Sequence, residues 1–378
     1  MDYTLETGPI RPPSEAESLL LRLTRNCTWN KCGFCNIYKG KEFSRRPVEE
    51  IKKEIDAIQH ISDELKAVSQ KMGHGGRIDG DVVEKAIKAN ISMQEEFYRI
   101  GTWLYLGAKT VFLQDANSMV MKSQDIIDIL KYLKERFPSI VRITTYARSK
   151  TVSKKTLQEL KDLRAAGLTR MHIGMESGSD KVLELINKGV TAADHIIAGQ
   201  KAMEAGFDLS EYFMPGLGGR ELSEENAKES ARVLNAINPT FIRIRSTVPV
   251  PRTPLYEMMT EKKWIPLTEE EKVRELRIFI ENLKGITSTF LSDHIMNLLE
   301  DLGGDFPQGK KDMLMLIDDF LKMDTEDKEN FIIGRRLGHY RYLSDYRREK
   351  KITDIKKQIL QNYSSVDDAV LQILKSYI

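Results

Sequence analysis

The sequence predicts an α/β fold, and three observations lead to that class. Short apolar and β-branched runs alternate with capped amphipathic segments, which is typical of parallel strands joined by crossover helices. The alternation runs from Ser18 to about Pro254 and is interrupted only by one insertion, which favours a single barrel over two separate halves. The chain after Leu267 is almost wholly helical by pattern. We therefore expect a partial (β/α)6 TIM-like barrel over residues 1–258 and an α-helical C-terminal domain over residues 259–378.

The predicted strands share a length of four to eight residues and a composition rich in apolar and β-branched side chains. They cover residues 18–24, 110–113, 141–146, 170–175, 207–214 and 241–248.

Helix-capping patterns separate these strands. Ser123, Ser153 and Ser223 are predicted to cap helices after the second, third and fifth strands, and Gly167 is predicted to end one of them. Thr191 and Asp194 resemble a capping box for a helix that runs to Gly206.

Two segments lie outside the alternation. Residues 61–105 look helical, with a glycine-rich turn at residues 73–76, and we expect them to form an insertion in the first crossover. In the C-terminal segment, Thr268 and Glu271 have the spacing of a capping box, and residues 313–322 and 352–363 have helical periodicity.

Composition, net charge and hydropathy argue against a membrane protein, a secreted protein and a protein that binds polyanions with its whole surface. Hydrophobic residues make up 41% of the 378-residue chain and charged residues 30%, as in ordinary globular enzymes. A net charge of +2 does not indicate a polyanionic partner for the whole chain. No run approaches the roughly 20 apolar residues of a membrane span, and residues 1–15 lack the apolar core of a signal peptide. We therefore expect a cytoplasmic protein with no membrane partner.

The cysteines carry the strongest chemical signal. The chain has three, Cys27, Cys32 and Cys35, spaced C-x4-C-x2-C directly after the first predicted strand. Three thiolates in one loop suit a cuboidal 4Fe–4S cluster and leave one of its four irons without a protein ligand. Zinc is the alternative, but a structural zinc site needs four ligands and no histidine lies close to the loop.

This loop resembles that of the radical S-adenosylmethionine superfamily, whose usual spacing is one residue shorter in the first gap. Phe34 matches the family's aromatic residue before the last cysteine. Four further segments resemble motifs of one branch of the superfamily, which contains anaerobic coproporphyrinogen dehydrogenases, elongator-type enzymes and methylthiotransferases. These segments are residues 112–117, 173–179, 186–189 and 214–219. The resemblance covers roughly 60% of the chain. It implies one 4Fe–4S cluster, S-adenosylmethionine as cofactor, and oxygen sensitivity.

The resemblance also assigns cofactor-binding positions near the carboxyl ends of the strands. Phe34 would pack near the adenine, Glu176 would contact the ribose, and Lys188 would contact the methionine carboxylate. The positions that match the family's motif for the methionine amine are Gln114, Asp115, Ala116 and Asn117, although its paired glycines are missing here. The remaining candidates for lining the barrel are Tyr146, Arg148, Tyr212 and Arg245.

The family resemblance implies reductive cleavage of S-adenosylmethionine to a 5′-deoxyadenosyl radical, which abstracts hydrogen from a substrate. We expect a small-molecule substrate. Arg243 and Arg245 alternate with Ile242 and Ile244 on the sixth predicted strand, so they share one face and would suit an acidic substrate if that face lines the barrel. An electron donor such as flavodoxin or ferredoxin is the other expected partner, and nucleic acid is disfavoured. The alternatives are a coproporphyrinogen dehydrogenase-like enzyme, a radical tRNA-modifying enzyme, and a non-catalytic iron–sulfur or zinc protein.

Overall fold

The computed structural model describes residues 5–375. The chain forms two compact units. The first comprises the residues up to Asn30, Gly40–His172 and Glu204–Asp208, and the second comprises Lys31–Lys39, Ile173–Met203 and the chain from Leu209 onward.

The described strands are short and, for the most part, buried. In chain order they are β1 (Leu19–Arg22), β2 (Thr24–Arg25), β3 (Ser44–Arg45), β4 (Thr110–Gln114), β5 (Arg142–Ala147), β6 (Arg170–Glu176), β7 (Asp208–Phe213), β8 (Phe241–Ile244), β9 (Thr289–Leu291) and β10 (Gly304–Asp305).

The helices between and after them are α1 (Val48–Lys71), α2 (Gly80–Ala89), α3 (Gln94–Tyr105), α4 (Ser123–Arg136), α5 (Ser149–Val152), α6 (Leu157–Ala165), α7 (Asp180–Leu185), α8 (Ala192–Glu204), α9 (Gly219–Ile237), α10 (Pro254–Thr260), α11 (Glu269–Asn282), α12 (Lys310–Lys322), α13 (Thr325–Arg336), α14 (Lys350–Ile359) and α15 (Val366–Lys375).

In the first unit, β4 lies between β1 and β5 and is parallel to both. Leu21 pairs with Leu113 across the first ladder, and Val111 pairs with Ile143 across the second. These four side chains are fully or nearly fully buried. The parallel register brings the carboxyl ends of β1, β4 and β5 to one edge.

In the second unit, β8 lies between β7 and β9 and is parallel to both, while β10 pairs antiparallel to β9. The amide of Met214 donates to the carbonyl of Glu176 (2.9 Å), so the end of β6 lies beside the end of β7. Phe213 stacks on Phe279 of α11 with ring centroids 4.2 Å apart, and both rings are fully buried. The α/β class with mainly parallel strands is confirmed, and all six predicted strands are present.

Three predicted N-caps are wrong. Helix α4 begins at Ser123 itself, α6 is capped by Thr156 in a capping box with Glu159, and α9 begins four residues before Ser223. The hydroxyl of Ser123 instead donates to the Glu159 carboxylate (2.8 Å) and accepts from Nζ of Lys155 (2.8 Å), so tertiary partners use the oxygen that the local pattern assigned to a cap. The capping box of Thr268 is confirmed.

The predicted insertion begins earlier than its sequence pattern suggests. Helix α1 starts at Val48 and is one continuous helix of 24 residues, followed by the glycine turn and by α2 and α3. The sequence pattern also missed β9 and β10, whose few residues carry too little periodicity to recognise. No helix within residues 5–375 combines the length and apolar character needed to cross a bilayer.

Candidate active site

The cysteine loop is closed at its base by β2 and β3, which form a two-residue antiparallel ladder. Residues 26–43 therefore start and end at fixed backbone positions. Asn26 and Asn30 have left-handed φ angles of 68° and 48°. Asparagine is enriched among the non-glycine residues found in this region, so the local sequence suits the two sharp turns around Cys27.

All three cysteines are half-buried. In the first unit the amide of Asn30 donates to Sγ of Cys27 (3.5 Å). In the second unit the amide of Cys35 donates to the carbonyl of Cys32 (3.4 Å), which forms a tight turn between the last two thiols. Among the residues that the structure describes, no group of three or more His, Cys, Asp or Glu side chains is arranged to hold a single metal ion.

Asp115 anchors the start of this loop. Its Oδ2 accepts from Nη2 and Nε of Arg22 (2.6 and 3.1 Å) and from the amide of Asn26 (3.2 Å). The side chain is fully buried, and a Cβ on Gly8 would lie 2.7 Å from its Oδ1. This carboxylate therefore fixes the residue that precedes Cys27.

Other residues of the 114–117 segment also have structural contacts. The side chain of Gln114 is buried and bonds to the backbone of residues 8 and 10, with distances of 2.7 to 3.3 Å. Ala116 is half-buried. Tyr146, near the end of β5, is half-buried and packs edge-on against Phe112 with ring centroids 5.0 Å apart.

Asn117 links the cysteine loop to the end of β5. Its Nδ2 donates to the hydroxyls of Thr28 (3.2 Å) and Thr151 (2.9 Å), and its Oδ1 accepts from the amide of Arg148 (3.2 Å). The guanidinium of Arg148 lies 5.2 Å from the centroid of the Trp29 ring, a cation–π distance. The first unit thus brings together the predicted residues 115, 117 and 148 around the loop.

In the second unit, Glu176 and Lys188 form an ion pair with Nζ 2.8 Å from Oε1 and little exposure of either side chain. Nζ also lies 5.7 Å from the centroid of the Phe34 ring. A Cβ on Gly174 would lie 2.1 Å from that Oε1, so the pair requires glycine there. Glu176 has a φ of 66° at the end of β6, a conformation that costs strain and is common at functional sites. The structure therefore brings three predicted cofactor residues together.

A second polar cluster lies along β7 and β8. Tyr212 pairs with Arg243 in the ladder, and Arg243 forms an ion pair with Asp293. Burial raises the pKa of Tyr212 above its usual value, against the opposing effect of Arg243. Burial, reinforced by Arg245, lowers the pKa of His294 to about 4. Strand β8 ends at Ile244, so the predicted strand 241–248 is too long and Arg245 lies one residue beyond its end.

These residues fit the two cofactors that the cysteine motif implies. Three thiols in one loop suit a cubane with one open iron. The second unit contains the last two cysteines and also the aromatic ring of Phe34, the ammonium of Lys188 and the carboxylate of Glu176. It also contains the buried carboxyl of Glu211, which has no hydrogen-bond partner among the described residues. An adenosyl amino acid carries groups that complement each of them.

Residues 21–231 match the radical SAM superfamily, which is more than half of the chain. The chain belongs to this superfamily. It is therefore an enzyme that uses a 4Fe–4S cluster and S-adenosylmethionine, and the predicted family, enzyme class and cofactors are confirmed.

This radical SAM enzyme is similar to the tRNA uridine(34) acetyltransferases of Methanocaldococcus jannaschii and Methanocaldococcus infernus. Each is 26% identical over 117 residues, which is 31% of this chain and 22% of the relative. The chain thus spans about a fifth of the length of these curated relatives. The match supports the elongator-like branch that the sequence motifs predicted.

Solved structures with some likeness include archaeal Methanocaldococcus infernus Elp3 with an N-terminal deletion, at 21% identity over 48% of each chain and a TM-score of 0.40. Another is coproporphyrinogen III oxidase (HemN) from Escherichia coli, described as a radical SAM enzyme. It has 16% identity over 70% of this chain and 52% of that chain, with a TM-score of 0.43.

Sequence reasoning missed three residues that shape the site. Arg22 and Gly174 act through their neighbours, so nothing in the local pattern singled them out. Glu211 did carry a signal, because an acidic residue in a strand that is otherwise buried needs an explanation. Only the structure shows that its carboxyl has no hydrogen-bond partner among residues 5–375.

Proposed function

We propose that Cys27, Cys32 and Cys35 hold a 4Fe–4S cluster at which S-adenosylmethionine is reductively cleaved, giving methionine and a 5′-deoxyadenosyl radical that abstracts hydrogen from a small-molecule substrate. The cysteine loop carries this proposal. It supplies all three cysteines of the chain between β2 and β3, inside the segment that matches the superfamily. Three thiolates for four irons leave one iron free for the cofactor's amino acid moiety.

The chain's own residues would hold the loop in place. Asp115 and Arg22 fix the position before Cys27, and Asn117 fixes the position after it through Thr28. A buried, charge-assisted set of hydrogen bonds suits this task, because it keeps the loop in one conformation when the cluster changes charge.

Glu176, Lys188 and Phe34 would bind S-adenosylmethionine. Without ligand, the ammonium and the carboxylate satisfy each other at 2.8 Å. On binding, Lys188 would take the methionine carboxylate, Glu176 would accept from the ribose hydroxyls, and the Phe34 ring would pack against the adenine. This exchange of partners keeps both buried groups hydrogen-bonded.

The proposal of an acidic small-molecule substrate is supported by the polar cluster of Tyr212, Arg243 and Arg245. Arg243 is already neutralised by Asp293, which leaves Arg245 as the cation best suited to an acidic small molecule. We further propose an acidic electron-donor protein of the flavodoxin or ferredoxin kind and a location in the reducing cytoplasm, where thiols stay unpaired.

A radical tRNA-modifying activity is the second candidate. The similarity to tRNA uridine(34) acetyltransferases favours it. A cavity of about 390 Å³ in the first unit also favours it, because its lining combines Thr28 of the cysteine loop with the cations Arg148, Lys150, Lys154 and Lys155. Basic clusters of this kind can meet phosphates.

Anaerobic reconstitution tests the main proposal. The full chain is loaded with iron and sulfide, reduced with dithionite and incubated with S-adenosylmethionine, and 5′-deoxyadenosine and methionine are quantified. We expect both products from the wild type and the Asn36→Ala control, in which an exposed neighbour is changed, and neither from Cys35→Ala. Failure of a fully loaded wild type to form 5′-deoxyadenosine contradicts the proposal. Binding of bulk tRNA in the same preparation would favour the second candidate.

A further inference from the structure

Asn30 lies three residues after Cys27 and has a left-handed backbone, with a φ of 48°. In this conformation its amide points at the sulfur of Cys27, with the nitrogen 3.5 Å from Sγ. Asparagine is one of the few residues other than glycine that adopt left-handed φ angles readily, because its short polar side chain can form local hydrogen bonds. The residue type at position 30 therefore suits a turn that aims a hydrogen-bond donor at a cysteine of the loop.

The side chain of Asn30 holds this turn in place. Its Nδ2 donates to the carbonyl of Lys41 (3.2 Å), on the part of the loop that returns to β3. Asn26, which is also left-handed, donates from its own Nδ2 to the carbonyl of Glu42. All four residues belong to the first unit, in which the ladder of β2 and β3 closes the loop. The amide of Asn30 is therefore held by contacts that need no cluster.

A hydrogen bond to a cysteine sulfur acts on the charge of an iron–sulfur cluster. Hydrogen bonds to the sulfurs are among the factors that set the reduction potential of such clusters. The reduced cluster carries one more electron than the oxidised cluster, and a hydrogen-bond donor stabilises the more negative form to a greater extent. An amide directed at Sγ of Cys27 therefore favours reduction and raises the potential at which the cluster accepts an electron.

We propose that Asn30 is a positioning residue that sets the reduction potential of the cluster. Its left-handed backbone and its side-chain bond to Lys41 hold its amide on Sγ of Cys27, and this hydrogen bond raises the potential. The inference rests on the proposed function, since it takes the three cysteines as the cluster ligands. One electron passes from the reductant to the cluster, and no bond forms or breaks at Asn30.

Redox titration of the reconstituted full chain, followed by electron paramagnetic resonance of the reduced cluster, measures this potential. In Asn30→Val the β-branched side chain disfavours the left-handed backbone, so the amide should move away from Sγ of Cys27. The equilibrium constant for reduction should then fall about tenfold, which corresponds to about 59 mV for one electron.

Two further variants separate the backbone conformation from a general disturbance of the loop. Glycine adopts left-handed φ angles readily, so the potential of Asn30→Gly should lie closer to that of the wild type than to that of Asn30→Val. The control Asn36→Val changes an exposed asparagine of the same loop whose φ is not left-handed, and it should leave the potential unchanged.

Nitrogen-15 labelling of asparagine gives a second test that does not depend on the valine variant. Pulsed electron paramagnetic resonance of the reduced cluster should show a weak nitrogen-15 coupling from the amide of Asn30 in the labelled wild type. This coupling should be missing from labelled Asn30→Gly, in which that amide carries no label. Couplings from other asparagines are common to both proteins and cancel.

Two results would overturn the inference. One is an equal potential of the wild type and Asn30→Val at equal iron and sulfide contents. The other is identical nitrogen-15 couplings in the wild type and Asn30→Gly, and this labelling result alone decides if Asn30→Val loses its cluster. Failure of the wild type to form a 4Fe–4S cluster at all would instead overturn the proposed function.

Discussion

The carboxylate of Asp115 accepts two hydrogen bonds from the guanidinium of Arg22, at 2.6 and 3.1 Å. The two residues lie at the ends of the paired strands β1 and β4, where Arg22 is opposite Gln114. The same carboxylate oxygen accepts from the amide that precedes Cys27. This ion pair therefore couples the packing of the parallel strands to the position of the cysteine loop.

Replacing Asp115 by Asn should destabilise the protein substantially. The change removes one partner of a buried ion pair, which typically costs about 3–5 kcal/mol, and Glu6 compensates Arg22 only in part. Urea unfolding of the apoprotein measures the loss. Asp56→Asn is the matched control, because Asp56 forms an exposed ion pair and should cost no more than about 1 kcal/mol. Equal losses in the two variants would contradict the anchoring role.

Replacing Gly174 by Ala should weaken S-adenosylmethionine binding about tenfold, equivalent to roughly 1.4 kcal/mol. The added Cβ would lie 2.1 Å from the Glu176 carboxylate and must displace it. Calorimetry on the reconstituted protein gives the affinity, and the iron content shows whether the cluster is retained. Gly80→Ala, with open space around its Cβ, should bind like the wild type. An unchanged affinity of the Gly174→Ala variant for S-adenosylmethionine would show that Glu176 does not contribute to binding it.

His294 should make the protein less stable in mild acid. Its pKa in the folded state is lowered from 6.5 to about 4, mainly by burial, and its Nδ1 accepts from the amide of Met296. Below pH 6.5 the unfolded chain binds a proton that the folded chain does not. The stability that this histidine contributes is therefore full above pH 6.5 and is lost as the pH falls towards 4.

The loss amounts to roughly 2–3 kcal/mol between pH 7 and pH 4. Unfolding free energies across this range should show it in the wild type and in the control His339→Asn, which changes an exposed side chain. His294→Asn keeps an acceptor for the Met296 amide without a titrating ring, so its stability should depend less on pH. Parallel pH profiles for His294→Asn and the wild type would show that this histidine is not the cause.

The sequence predicted the parallel strands and the cysteine loop because both signals are local. Each buried strand is a short apolar run, and three thiols fall within nine residues. Phe34, Glu176 and Lys188, which come from the family resemblance, lie together in the second unit, and their role in binding the cofactor stays a prediction. Sequence reasoning missed the contact of Arg22, because its partner Asp115 lies 93 residues further along the chain. It missed Gly174 because no local pattern shows how closely a Cβ there would approach the carboxylate of Glu176, although the two residues are only two positions apart.

The predictions that these serines cap helices were wrong for a related reason. Ser223 lies inside α9 and donates to the buried carboxylate of Glu275 (3.0 Å), a partner that no local pattern reveals. Capping rules describe helices whose ends meet only their own side chains and solvent. Where a helix end is buried, tertiary partners compete for the same polar groups.

The most direct test of the central claim is electron–nuclear double resonance of the reduced, reconstituted protein with S-adenosylmethionine labelled with nitrogen-15 at its amino group. We predict a nitrogen-15 coupling to the cluster, because three cysteines leave one iron for the cofactor's amine. Absence of this coupling in a sample that binds S-adenosylmethionine and holds a full cluster would contradict the account.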